Sequence, residues 1–101
     1  MSCTIEQWTA TATGSGSGRE ITVVGEGECS HSGYRLTLEP TNEGVWDNPE
    51  VIALALAIEE LEGGAEVITP VKVERTVRDK TATRVEIRTP FGVRGAKVEE
   101  A

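Results

Sequence analysis

Apolar side chains return at every second position along most of the chain. The longest run is Val51 to Ile58, where Ile52, Leu54, Leu56 and Ile58 share one parity and smaller residues take most of the other. Ile21/Val23, Tyr34/Leu36/Leu38, Val71/Val73 and Val85/Ile87 repeat the pattern, separated by clusters of Gly, Pro, Asn and Ser. A period of two puts one set of side chains on one face of a pleated strand. The pattern therefore predicts strands over residues 4–13, 19–28, 34–39, 51–61, 67–77, 83–89 and 91–98. Gly14 to Gly18 is an alternating Gly/Ser loop between the first two. Gly25 and Gly27 point to a bulge or a close backbone approach, and Pro70 belongs at a sheet edge or a bulge.

Residues 49–62 carry a competing signal. Asn48 can cap a helix, Pro49 suits its first position, and Gly63-Gly64 can end it. A helix would spread its large apolar residues over more than half of the wheel, whereas a strand gathers four of them on one face. The segment is read as a strand. The expected fold is all-β: an antiparallel β-sandwich of about seven strands, compatible with an immunoglobulin-like layout. The alternative is α+β, with a helix at 49–62. Residues 1–101 form a single domain.

One register is also predicted. Pairing Val73 with Val85 and Val71 with Ile87 sets Lys72 opposite Glu86 and Glu74 opposite Arg84, with the turn at Asp79.

Composition narrows the picture. Hydrophobic residues make up 38% and aromatic residues 4%, so the core is aliphatic. A net charge of −7 repels phosphate backbones and anionic lipid, so neither nucleic acid nor membrane is an expected partner. The N-terminus, Met1 to Trp8, lacks the basic start and apolar stretch of a signal peptide. The expectation is a cytoplasmic protein whose two cysteines are reduced thiols.

Three stretches carry a resemblance: Arg19 to Cys29, Ser32 to Asn42, and Val67 to Val71. They resemble a group of small β-rich bacterial proteins catalogued as hypothetical. The resemblance implies an alternating strand at 51–58 and no particular activity. Glu59-Glu60-Leu61-Glu62-Gly63-Gly64 departs from the Pro/Gly turn expected there.

Candidate chemistry is sparse. Cys29-Ser30-His31 sets a thiol two residues from the only histidine, and with Cys3 the three residues could hold a metal or form a thiol site. Their spacing matches no zinc pattern, and a loop thiol beside a solvated imidazole explains them more simply. A hairpin centred on Gly16 would bring Cys3 and Cys29 together, which makes a disulfide geometrically attractive. The Gly14-x-Gly16-x-Gly18 run fits neither phosphate-binding motif. Glu43, Trp46 and Asp47 lie in the acidic loop after the third strand and are candidate partner-binding residues. No catalytic set and no cofactor is implied. The leading expectation is a non-catalytic protein-interaction module. A thiol or metal site at Cys29/His31 with Cys3 is the alternative, and an acidic nucleic-acid-mimicking inhibitor is the second.

Overall fold

A computed structural model describes residues 3–41, 50–64 and 66–100. Seven strands follow one another: β1 (Cys3–Thr13), β2 (Glu20–Cys29), β3 (Tyr34–Pro40), β4 (Val51–Glu60), β5 (Thr69–Arg78), β6 (Arg84–Thr89) and β7 (Gly92–Glu100). They form one sheet in the order β3-β4-β6-β7-β1-β2-β5. The fold is all-β, as the periodicity predicts. Its layout is a single sheet curling toward a barrel rather than two stacked sheets. Two of its pairings are parallel, β1 with β7 and β4 with β6.

The core is aliphatic, as composition requires. Ile5, Ile21, Val23, Leu54, Val85 and Ile87 are all but sealed from water, and Ala10, Ala12, Leu38, Leu56, Val73, Ala82, Ala96 and Val98 pack with them. Each fully buried aliphatic side chain contributes roughly 1.5–3 kcal/mol.

The α+β alternative is overturned at Val51–Glu60. This segment is β4, the penultimate strand, paired on one side with β3 and on the other with β6. Its alternation lets Leu54 and Leu56 enter the core while both of its edges find ladder partners. Gly63, at φ 86°, serves the turn beyond the strand instead of ending a helix. The proposed capping residues Asn48 and Pro49 lie outside the described residues.

The register predicted between β5 and β6 is also corrected. β5 pairs with β2 alone and lies at a sheet edge, while β6 sits between β4 and β7. Lys72 finds its acidic cross-strand neighbour in Glu26, and Arg78 finds Glu20. Opposite charges were available on more than one strand, so the charge match did not discriminate between partners. The 79–83 segment does not fold back as a hairpin. Asp79 Oδ1 accepts the backbone N–H groups of Thr81 (2.9 Å) and Ala82 (2.7 Å), and this turn launches the chain across the barrel.

The β1–β2 hairpin does turn at the Gly/Ser loop, and it carries the bulge that the glycines predict. Its ladder runs from Thr13 opposite Glu20 down to Gln7 opposite Glu26, then slips so that Ile5 faces Gly27 and Cys3 faces Cys29. Glu6 is the extra residue. The inward face of β1 changes parity there, from Ala12 and Ala10 to Ile5 and Cys3. Gly27 is obligatory at this point, because a Cβ would lie 1.9 Å from the Thr4 carbonyl oxygen. At Gly25 the indole of Trp8 occupies the space instead, its ring carbons within 2.5–2.8 Å of where a Cβ would stand. Pro70 lies on edge strand β5, as its missing N–H demands.

Candidate functional site

Strand directions decide which loops share an end. β1 runs parallel to β7, and β4 runs parallel to β6; the remaining pairings are antiparallel. One end of the barrel is therefore built from the starts of β1, β3, β5 and β7 and the ends of β2, β4 and β6. The connections 30–33, 61–68 and 90–91 all lie there. The Gly/Ser loop and the 79–83 turn occupy the other end.

The exposed large apolar residues among those described are Leu61, Val67, Ile68, Phe91 and Val93, each between 40% and 68% exposed. All five belong to the 61–68 connection or to the β6–β7 tip, so all five lie at the same end. Scattered exposed hydrophobes are ordinary on a protein surface; this many on one end of a 101-residue chain is a concentration. The molecule measures 45 × 27 × 18 Å.

A cleft of about 550 Å³ opens beside Leu61, lined by His31, Glu60, Glu62, Gly63, Gly64 and Glu66. His31 is held from several sides. Its ring stacks on Tyr34 with centroids 4.3 Å apart. Nδ1 accepts the Gly33 N–H at 3.0 Å, which leaves Nε2 facing Glu60 Oε1 at 3.5 Å. The Gly64 and Gly33 backbones pack directly on each other, since a Cβ on Gly64 would lie 2.3 Å from the Gly33 nitrogen. Below the disulfide, Ile68 shares a smaller depression with Thr4, Glu28, Cys29 and Ser30.

Cys3 and Cys29 form a disulfide, with Cα atoms 4.0 Å apart and both residues buried. The expectation of two reduced thiols is overturned, because the bulge at Glu6 sets the two residues directly opposite each other. Without that slip, Cys3 would face Ser30. A disulfide sulfur is neither a thiolate nucleophile nor a thiolate ligand. The Cys3/Cys29/His31 grouping therefore supplies no metal or thiol site in this form, and His31 turns to Gly33 and Glu60 instead. No group of three or more His, Cys, Asp or Glu among the described residues is arranged to hold a metal ion. Glu43, Trp46 and Asp47 lie outside the described residues.

A second open groove, of about 620 Å³, crosses the outer wall at the bulge, where Glu6, Glu26 and Glu28 face Lys72. Its acidic groups are solvated, and nothing in it converges on one point.

The pattern reading missed the apolar end: it assigned Leu61, Val67, Ile68 and Phe91 to strands, whereas the structure leaves them in connections; Val93 does lie on β7, as expected. One signal was present: Val67 and Ile68 are adjacent, so they break the alternation just before Thr69-Pro70. Arg19 was also missed; its role is structural. No family model matches the chain, and neither a curated protein nor a solved structure matches it. No helix among the described residues is long and apolar enough to cross a membrane.

Proposed function

We propose that this chain is a non-catalytic protein-interaction module that works through the barrel end formed by residues 30–33, 61–68 and 90–93. The observation that carries the reading is the gathering of Leu61, Val67, Ile68, Phe91 and Val93 on that end. Exposed apolar area costs solubility, and its concentration on loops held by a rigid barrel is how small β domains present a binding face. A photo-crosslinkable residue at Ile68 or Phe91 tests the reading in cells that make the protein, with Thr11 on the barrel wall as reference. Discrete protein adducts are expected from the two end positions and none from Thr11. Equal yields at Thr11, or no adduct from the end, would overturn it.

For location, the Cys3–Cys29 bridge weighs toward maturation in an oxidising compartment and against the cytoplasmic expectation. Trapping free thiols with an alkylating agent at the moment of lysis tests this. Two unmodified, bridged cysteines are expected, and quantitative labelling of both would restore the cytoplasmic reading.

A further inference from the structure

The chemistry around the apolar end says what kind of surface covers it, and this inference rests on the interaction reading above. From Glu59 to Pro70 the chain has Glu59, Glu60, Glu62 and Glu66 and no Lys or Arg. Glu59 is engaged by Arg35 at 2.9 Å and Glu60 faces His31, while Glu62 and Glu66 are exposed and make no ion pair among the described residues. Leu61 and the carboxylates of Glu60, Glu62 and Glu66 border one cleft, and no Lys or Arg lines it. Ile68 sits in its own depression beside Glu28, again with no basic side chain in the lining. Apolar and acidic groups thus border both depressions, and the Gly63-Gly64 backbone lines the larger one.

We infer that the 60–68 rim docks a protein segment carrying both basic and apolar side chains. Its Lys or Arg enters the cleft between Glu62 and Glu66, and its apolar residues cover Leu61, Val67 and Ile68. An acidic or neutral segment would leave the carboxylates of this rim facing like charge or losing water without compensation, which works against binding. The overall charge of −7 points the same way, since it steers a basic partner in and opposes a second copy of this chain.

The test uses the full oxidised chain and two synthetic peptides, one alternating Lys and Leu and one alternating Glu and Leu. Affinities are measured by fluorescence anisotropy at two salt concentrations. The Lys/Leu peptide is expected to bind at least about tenfold more tightly than the Glu/Leu peptide, and to weaken as salt rises. The pair Glu62→Lys/Glu66→Lys is expected to weaken it at least about fivefold. The pair Glu74→Lys/Glu99→Lys, with the same change of charge away from this end, is expected to leave it nearly unchanged. Equal binding of both peptides, or an equal loss in the Glu74/Glu99 pair, overturns the basic-partner inference.

The two readings fail separately. If both peptides bind the wild type equally and Val67→Ser/Ile68→Ser abolishes both, the interaction end stands and only its charge preference falls. If that pair changes nothing, the end itself is refuted as a docking face. A concentration-dependent dimer in sedimentation that Ile68→Ser dissolves would assign the rim to a second copy and overturn the inference.

Discussion

Arg19 shows how one side chain can hold together segments far apart in sequence. It is 8% exposed, and its guanidinium donates from Nη1 to the carbonyls of Ala82 (2.9 Å) and Asp79 (3.3 Å) and from Nη2 to Glu100 Oε1 at 2.6 Å. Its own carbonyl accepts the Asp79 N–H at 3.1 Å. The β1–β2 loop, the 79–83 turn and the last strand therefore meet on one buried residue. Arg19→Met keeps the apolar stem but leaves the Ala82 carbonyl without its donor. Chemical denaturation is expected to show a loss of about 1–3 kcal/mol. Most of it comes from the two carbonyls, because Glu100 is largely exposed and its pairing is screened. Nothing in the sequence around Arg19 marks it, since an arginine beside a Gly/Ser loop reads as solvated. Gly27 is the opposite case. The sequence placed a bulge or close approach there, and the Thr4 carbonyl that fills the space gives the reason.

At the scale of strands, local pattern predicted which segments are extended and left open which of them meet. The β1–β2 hairpin was legible because its Gly/Ser loop is short and its partners are adjacent in the chain. The bulge then decides a covalent bond, by moving Cys3 from Ser30 to Cys29. The bridge spans 26 residues of chain, which in the loop-entropy account stabilises the fold by about 3.5 kcal/mol. Cys3→Ala/Cys29→Ala is expected to lower the denaturation free energy by about 2–4 kcal/mol, and reduction of the wild type by a similar amount. The sheet edges supply a second prediction. β3 and β5 each pair on one side only and face each other across the seam, where Arg75 Nη1 meets Glu39 Oε2 at 3.2 Å. Arg75 shares its parity with the apolar Val71, Val73 and Val77, so a charge interrupts what would be a continuous apolar edge. Arg75→Val is expected to shift the protein toward oligomers in size-exclusion chromatography; a monomer as stable as wild type would show that Pro70 alone guards the edge.

Taken whole, the molecule keeps its Arg19 cluster at the end opposite the candidate binding face, while the Cys3–Cys29 bridge borders that face. The aliphatic core runs from Ile5 near one end to Ala82 at the other, where the Arg19 cluster lies, while Leu61, Val67, Ile68, Phe91 and Val93 are exposed at the end opposite Arg19. Val67→Ser/Ile68→Ser removes exposed side chains that the ladder does not use, so its stability is expected to stay within about 0.5 kcal/mol of wild type. A larger loss in thermal or chemical denaturation would mean that the apolar end is part of the core. The fold class, the aliphatic core, the position of nearly every strand, the hairpin at the Gly/Ser loop and the edge placement of Pro70 were all legible in the order of residues alone. Each of these follows from side-chain period or backbone chemistry acting over a few residues. That β5 joins β2 and not β6, that β1 lies beside β7, that the cysteines are bridged and that the apolar residues share an end emerges only once the strands assemble. Those outcomes depend on strands choosing among partners far along the chain. Opposite charges and alternating aliphatics are too alike from strand to strand to make that choice locally, so it is made by how all seven strands together close around one core.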